Sequence, residues 1–157
     1  MGHFTFESPL GPLSLTTANG ALKGLTFGNL DVVQEEDEIT RVTAGQLLEY
    51  FEGNRKSFEL PVDPDGSEFQ KRVWKMLMDI PFGKHTNYGR MATLLGDPRS
   101  VRAVGTANGA NPIAIIIPCH RVIGANGDLV GYAGGLDKKE WLLKHEGMQG
   151  LDQLSIF

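Results

Sequence analysis

Hydrophobic and polar residues alternate over the first thirty positions of the chain, as they do in half-buried β-strands. The alternation predicts strands over residues 3–7, 13–17 and 22–27. Turn-forming residues separate the runs, with prolines and glycine at 9–12 and with Asn19 and Gly20 at the second turn. The first part of the chain is therefore predicted to form a small β-sheet.

The apolar spacing changes to that of an amphipathic helix over residues 39–51. Four apolar side chains are predicted to share its buried face: Val42, Leu47, Leu48 and Phe51. Gly53 and Asn54 end this helix. Residues 61–66, rich in proline and aspartate, form a predicted linker. The linker divides the chain into a structural domain over 1–66 and a second domain over 67–157.

Three helices are predicted after the linker. Ser67, with Gln70 three positions later, is a capping-box pattern, and it begins a helix that Pro81 stops. A second helix covers residues 88–95, and Asp97 caps a third that runs to about residue 108. The last two helices have the layout of a helix-turn-helix, although many helical hairpins share this layout without binding anything.

The remainder of the chain alternates between apolar and glycine-rich segments. Residues 113–117 are predicted to be a buried extended segment that leads into Cys119. Residues 124–135 hold five glycines, a loop able to approach a ligand closely, but they match no phosphate-binding glycine motif. The last helix is predicted to start at Asp137, with Glu140 at the capping-box position, and to end at Gly147.

The net charge of −4 hides an asymmetry between the two parts of the chain. Residues 1–66 carry 11 acidic and 4 basic side chains, whereas residues 67–157 carry 8 acidic and 11 basic ones. The basic second region is free to meet a polyanion. Residues 35–38, all acidic, are predicted to form a solvated loop that faces away from any phosphate backbone.

Composition excludes several classes of protein. No run approaches the roughly 20 apolar residues of a membrane span, and the first residues start no signal peptide, so no membrane partner is expected. Cys119 is the only cysteine among 157 residues. One cysteine forms neither an intramolecular disulfide nor a cysteine-rich zinc site. These features predict a cytoplasmic protein.

Cys119 is followed directly by His120. A lone cysteine is often a small core hydrophobe, but a thiol becomes a nucleophile when an imidazole assists its ionisation. Because adjacent side chains on regular structure point apart, a bridging water is the expected relay between them. Glu146, at the carboxyl end of its helix, opposes the helix dipole at a cost of about 0.3–1 kcal/mol and is the candidate partner of the base. His145 suits that position as a cation and is interpreted as structural.

The sequence Ile-Pro-Cys-His-Arg-Val at residues 117–122 resembles the active-site signature of the O6-alkylguanine-DNA alkyltransferases. Blocks at residues 102–105, 109–112, 132–135 and 141–147 extend this likeness over residues 69–147, and residues 8–13 resemble the family's β-rich domain more loosely. The resemblance implies an α+β fold. A small, β-sheet-rich, RNase H-like domain with a helix would precede a mostly helical domain that carries a winged-helix-like helix-turn-helix.

The resemblance also implies catalytic roles for five residues. Cys119 would attack the alkyl carbon on guanine O6 in a single displacement and keep the group as a thioether. His120 would take the thiol proton through a water, and Glu146 would orient the imidazole. Asn111 would brace the active-site turn, and Tyr88 would bind or protonate guanine N3.

Further residues are implied in binding double-stranded DNA that contains alkylated guanine. Val122 and Ala133 would contribute backbone contacts to the flipped base, with Gly134 beside them in the substrate pocket. Arg102 would fill the vacated stack, although without the resemblance it is an ordinary exposed arginine. The other DNA contacts implied are Arg99, Ala103, Tyr88 and Arg121. No cofactor, no metal and a monomeric state are expected. Asn108 stands where some members have a more apolar residue.

Two alternatives belong to other functional classes. An alkyltransferase-like protein would flip and flag lesions without transfer, but those relatives lack the acceptor cysteine that Cys119 supplies. A cysteine hydrolase built on Cys119, His120 and Glu146 would need a hydrolysable acyl intermediate and an oxyanion hole. A thioether to an alkyl carbon does not hydrolyse.

Overall fold

The computed structural model describes residues 1–148. Three antiparallel strands form one sheet in the order β1, β2, β3, and their bounds are Gly2–Ser8, Gly11–Ala18 and Ala21–Phe27. All three strands were predicted from the alternation. The turn between β2 and β3 holds Asn19 and Gly20, whose φ angles of 54° and 77° suit the tight hairpin turn that this residue pair favours.

Helix α1 (Glu38–Phe51) packs against all three strands. The predicted buried face was wrong in part, because Val42 and Leu48 are 37% and 43% exposed. The buried positions recur at true helical spacing once small and polar side chains are counted. They are Thr40, Thr43, Ala44, Leu47 and Tyr50.

Asp37 corrects the prediction of a uniformly solvated acidic loop. Its side chain accepts a hydrogen bond from the Thr40 amide at 2.8 Å, and Thr40 returns one to the Asp37 amide. Asp37 also accepts from the Thr17 hydroxyl. Glu35, Glu36 and Glu38 are exposed, as expected. The one half-buried carboxylate of the segment therefore caps α1.

The four isoleucines of residues 113–117 are buried, as predicted, but the segment is not extended throughout. Ile113 forms an isolated bridge with Leu25, whose carbonyl accepts from the Ala114 amide at 3.0 Å. A turn follows at residues 114–116, with Ile115 at a φ of +70°. A left-handed conformation at a branched residue is strained by roughly 1–3 kcal/mol, and here complete burial of the side chain opposes that strain.

The chain divides into two compact units. The first holds Met1–Asp65 together with Pro112–Ile116, and the second holds Gly66–Asn111 and continues from Ile117. The predicted second domain over 67–157 is therefore interrupted, because residues 112–116 bond to β3 of the first unit. The last nine residues of that predicted domain lie outside the described part of the chain.

The second unit is mostly helical. Its helices are α2 (Glu68–Met78), α3 (Tyr88–Leu94), α4 (Val101–Gly109) and α5 (Leu136–His145), with 3₁₀ turns at Pro98–Ser100 and Cys119–Arg121. Ser67 and Gln70 form the predicted capping box of α2. Asn87 caps α3, and Asp97 caps the 3₁₀ turn that leads into α4. Helices α3 and α4 pack against each other as a helix-turn-helix does.

The start of α5 differs from the prediction. The helix begins at Leu136 after Gly135, which has a φ of +101°, and no side chain of the described residues caps it. The expected capping box of Asp137 and Glu140 is therefore wrong. Glycine is the residue type that best tolerates this φ, so Gly135 lets the chain enter the helix directly from the glycine-rich loop. With one sheet and five α-helices within residues 1–148, the predicted α+β class is confirmed.

Candidate active site

The 3₁₀ turn Cys119–Arg121 places three consecutive side chains in the interior of the second unit. Cys119 is 6% exposed, and its amide donates to the Ile117 carbonyl at 2.8 Å. The Asn111 side chain donates to the same carbonyl at 2.8 Å. Asn111 thus holds the chain immediately before the cysteine, where a bracing residue was expected.

His120 and Glu146 form a buried pair. Nε2 of His120 lies 2.8 Å from Oε2 of Glu146, and the two residues are 0% and 4% exposed. Glu146 is the C-cap of α5, the position at which a carboxylate opposes the helix dipole. Nδ1 of His120 is buried and finds no hydrogen-bond partner among the described residues. The imidazole is therefore oriented through one nitrogen and open at the other.

Arg121 completes this cluster, and its position is at odds with the expected DNA contact. Its Nε and Nη2 donate to the two carboxylate oxygens of Glu146 at 2.8 and 3.0 Å, and Nη1 donates to the Ile80 carbonyl at 2.6 Å. Only 6% of the residue is exposed. A bidentate guanidinium satisfied inside the protein does not reach a phosphate. Arg121 fixes the Glu146 carboxylate, and that carboxylate in turn orients His120.

The charges of the cluster follow from burial and pairing. Burial alone would raise the pKa of Glu146, but His120 and Arg121 outweigh it and hold the pKa well below its ordinary value. Burial lowers the pKa of His120, against the opposing effect of Glu146. The imidazole is therefore neutral at neutral pH, which is the form that can accept a proton.

Burial also raises the pKa of the Cys119 thiol. A hydrogen bond from Asn111 and the positive charge of Lys139 act in the opposite direction. The resting cysteine is thus a neutral thiol whose ionisation depends on its neighbours.

Lys139 is a residue of the site that the sequence analysis missed. It is fully buried, and its Nζ donates to the Val130 carbonyl at 2.6 Å, with the Gly131 carbonyl at 3.4 Å. Burial lowers its pKa to about 8, while the charge of Cys119 opposes this shift. A signal was present in the sequence, because residues 139, 142, 143 and 146 share one face of α5 and all are buried.

Tyr88 and Tyr132 lie within electrostatic reach of Cys119. Burial raises the pKa of both phenols, that of Tyr132 well above its ordinary value, and the charge of Cys119 adds to each shift. Tyr88 begins α3 and is half-buried, and its hydroxyl oxygen accepts from the Asn108 side chain at 3.3 Å. The second unit therefore brings Tyr88 to the vicinity of the cysteine.

The remaining predicted site residues are distributed between surface and interior. Arg99, Arg102 and Ala103 are exposed around the start of α4, and the Arg99 side chain is 92% exposed beside Asp97. Val122 is fully buried and bridges Thr86. In the glycine-rich loop, Ala133 is exposed and Gly134 is half-buried.

A cavity of about 610 Å³ lies beside α3, and Cys119 is not among the residues that line it. The loop before α3 and the segment after Val122 form its walls. Its charged or titratable lining residues are Asp79, Lys84, His85 and Arg90. The cavity therefore carries more basic than acidic side chains.

Two other kinds of site are absent from residues 1–148. No helix there is long and apolar enough to cross a lipid bilayer. No group of three or more His, Cys, Asp or Glu side chains in the same stretch could hold a metal ion.

Comparison with known proteins agrees with this architecture. Residues 68–148 match the family model for the 6-O-methylguanine DNA methyltransferase DNA binding domain, and residues 2–64 match the ribonuclease-like domain of the same family. A methylated-DNA–protein-cysteine methyltransferase of Methanosarcina acetivorans is 49% identical over 154 residues, covering 94% of this chain and 99% of the relative. The Mycobacterium leprae protein of that name is 44% identical over 164 residues, covering 98% and 96%.

Solved structures give the same result. The structure of Mycobacterium tuberculosis OGT in complex with DNA superposes with a TM-score of 0.86 at 42% identity, over 93% of this chain and 92% of that one. An O6-methylguanine DNA methyltransferase from Methanococcus jannaschii gives a TM-score of 0.68 at 30% identity, over 98% and 100%.

An α+β fold whose second unit carries both a helix-turn-helix and a buried cysteine next to a histidine–glutamate pair defines a class of DNA-binding proteins with one buried thiol. The chain belongs to the 6-O-methylguanine DNA methyltransferase family. Its activity is that of a methylated-DNA–protein-cysteine methyltransferase, an enzyme of direct-reversal DNA repair.

Proposed function

We propose that Cys119 takes the alkyl group directly from O6 of an alkylated guanine in double-stranded DNA, once per protein molecule. One observation carries this proposal: His120 bonds to Glu146 through Nε2 and leaves its buried Nδ1 without a partner among the described residues. Adjacent side chains generally point apart, so the Cys119 thiol and the His120 imidazole do not make this contact directly. A water bound at Nδ1 would relay the proton between them.

Activation begins with the neutral imidazole. The Cys119 proton passes through the water to Nδ1 of His120, and the carboxylate of Glu146 stabilises the imidazolium that results. Lys139 supplies a further positive charge to the thiolate. Burial raises the pKa of the thiol, so these neighbours are what make the thiolate accessible.

Transfer is a single displacement. The bond from sulfur to the alkyl carbon forms as the bond from that carbon to O6 breaks, and its electron pair stays on guanine. Tyr88 donates a proton to guanine N3, so that the base leaves neutral, and the proton held on His120 then returns through solvent to the Tyr88 phenolate. The thioether on Cys119 does not hydrolyse, which makes the reaction irreversible and argues against a cysteine hydrolase.

A base within a duplex cannot present O6 to a buried thiol, so the nucleotide is flipped out. Arg102, exposed on α4, would fill the vacated stack from the minor groove, with Arg99 and Ala103 beside it. Val122, Ala133 and Gly134 would line the pocket of the flipped base. These contacts read shape and phosphate, so repair is largely independent of the surrounding sequence.

The basic cavity beside α3 would extend this surface. Lys84 and Arg90 are exposed at its lining, and Arg90 belongs to the first helix of the helix-turn-helix. Both would contact backbone phosphates.

The same proposal includes the setting of the reaction. The protein acts as a monomer in the cytoplasm, whose reducing conditions keep a lone cysteine as a thiol. It uses no cofactor or metal, and its second proposed substrate is O4-alkylthymine.

Incubation with duplex DNA carrying a labelled methyl group on guanine O6 tests the proposal. One equivalent of label is expected on Cys119, with unmodified guanine left in the DNA. Cys119→Ala should bind the duplex without accepting label. Repeated turnover would indicate a hydrolase, and binding by the unaltered protein without transfer would indicate a lesion-flagging protein.

A further inference from the structure

We propose that Asn108 is a positioning residue that directs the hydroxyl hydrogen of Tyr88 toward the substrate base. The inference rests on the proposed function, in which Tyr88 serves guanine N3. Nδ2 of Asn108 lies 3.3 Å from the Tyr88 hydroxyl oxygen, and Asn108 is only 3% exposed. The contact joins α4 to the first residue of α3.

The surface of α4 that meets Tyr88 is formed by two residues one turn apart. A Cβ atom at Gly105 would lie 3.7 Å from the Tyr88 ring, which is ordinary van der Waals contact. Asn108 then meets the hydroxyl group at the far end of the same side chain. Gly105 therefore lies against the ring, and Asn108 sets the hydrogen bond of its oxygen.

The direction of that hydrogen bond follows from the chemistry of the groups. An amide nitrogen only donates, so the phenol oxygen must act as acceptor toward Asn108. The single hydroxyl hydrogen of Tyr88 is then left for another acceptor. Burial raises the pKa of Tyr88, and the bond from Asn108 opposes this rise, which also favours donation of the proton.

Asn108 is an unexpected choice if packing were its only role. Its Oδ1 is buried and has no hydrogen-bond partner within residues 1–148. A leucine of similar size would avoid burying an unsatisfied amide oxygen. A polar side chain at this position, with one end on Tyr88, points to a role in setting that hydroxyl.

The opposite amide orientation makes the opposite prediction. With Oδ1 toward Tyr88, Asn108 would accept the hydroxyl hydrogen and withdraw it from the substrate. Asn108→Leu would then speed transfer by freeing the phenol, whereas under the proposal it slows transfer. Asn108→Asp, an acceptor of the same shape, would compete for the hydrogen and is expected to be slower than Asn108→Leu.

Single-turnover transfer rates decide the matter in a double-mutant cycle. The proteins are wild type, Asn108→Leu, Asn108→Asp, Tyr88→Phe and the Leu/Phe double variant. The substrates are duplexes with O6-methylguanine or its 3-deaza analogue, which has no N3 acceptor. Asn108→Leu is expected to lose about threefold to tenfold on the first duplex. It should lose little on the analogue, and the double variant should be no slower than Tyr88→Phe.

Additive losses in the cycle, or equal losses on both duplexes, would overturn the inference and leave Asn108 as a packing residue. Thermal melting and duplex binding check that each variant is folded. If Asn108→Leu melts below the assay temperature, Asn108→Asp decides by the same comparison of substrates. Failure of the proposed function looks different, since wild type would then transfer no methyl group. If Tyr88→Phe matched wild type, both the role of Tyr88 and this inference would fall.

Discussion

The Glu146 carboxylate accepts from Nε2 of His120 at 2.8 Å, and this single contact selects the tautomer in which Nδ1 can act as a base. Glu146→Gln replaces a pure acceptor with an amide that can instead donate to Nε2. The hydrogen would then move to Nδ1, the wrong nitrogen for taking the thiol proton. We expect the single-turnover transfer rate to fall by about tenfold or more.

The pH profile separates this cause from simple loss of structure. Glu146 raises the pKa of His120 against the larger effect of burial, so the glutamine variant should shift the acid limb of the rate to lower pH. Glu140→Gln is a matched control on α5, since Glu140 pairs with Lys144 at the surface. If the acid limb of Glu146→Gln stayed where it is in wild type, Glu146 would not be the residue that sets the basicity of His120.

Acid stability offers a second prediction from the same pair. Burial would raise the pKa of Glu146, but His120 and Arg121 hold it below its ordinary 4.5, so the unfolded chain takes up this proton first. Burial lowers the pKa of His120 below 6.5, so its proton too is bound first by the unfolded chain. Stability should therefore fall as pH drops below about 6.5, and more steeply below about 4.5.

Urea unfolding between pH 3 and 7, with each variant measured over the whole range, checks this linkage. Glu146→Gln should be less stable at neutral pH, because it leaves the buried Arg121 cation without its counter-charge. Its stability should also change less below the ordinary pKa of a glutamate. Parallel curves for the variant and wild type would mean that Glu146 does not carry the acid transition.

Arg121→Met tests whether this arginine supports the site or meets DNA. Removal of the buried guanidinium takes two charge-assisted hydrogen bonds from the Glu146 carboxylate, and the free energy of unfolding should fall by about 3–5 kcal/mol. The dependence of DNA affinity on salt should not change. Arg99→Met, which alters an exposed arginine, should leave stability nearly unchanged and reduce the salt slope by about 0.9. A reduced salt slope in Arg121→Met would instead show that Arg121 contacts DNA.

Local patterns in the sequence predicted the elements well, because their causes are local. Alternation is sufficient for three short strands, and Asn19 with Gly20 specifies the turn between two of them. Ser67 caps α2 through its own side chain. The failures have causes that a local pattern does not contain. Ile115 turns into a left-handed conformation because its segment bonds to Leu25, far away in the chain.

The site was predictable where unusual residues stood in unusual places. Glu146 at the carboxyl end of a helix and His120 beside the only cysteine of the sequence both indicated a functional site. The buried positions of Lys139 and Arg121 were harder to predict, because a lysine or arginine in a basic region is usually solvated. Helical spacing from Leu142 placed Lys139 on the buried face of α5, but its carbonyl partners in the glycine loop follow only from the fold.

Lys139→Met should slow alkylation of Cys119. Methionine fills much of the same space but removes the ammonium, which lowers the pKa of the thiol while it is charged. The pKa of Cys119 should therefore rise, and the rate of reaction with iodoacetamide should fall severalfold below pH 8, where Lys139 is mostly protonated. The single cysteine makes the measurement specific. Lys138→Met is the matched control, and an equal effect in that variant would reduce the role of Lys139 to net charge.

The basic cavity beside α3 makes a prediction about DNA that is independent of the cysteine. If Lys84 and Arg90 contact phosphates, Lys84→Gln and Arg90→Gln should each reduce the slope of log affinity against log salt by about 0.9. Asp79→Asn, which removes a negative charge from the same cavity, should strengthen binding slightly. Because phosphate contacts carry no information about the lesion, affinity for unmodified and O6-methylguanine duplexes should fall by the same factor. Slopes that stay unchanged between 50 and 200 mM salt would place the DNA elsewhere and confine its contacts to α4 and the flipped base.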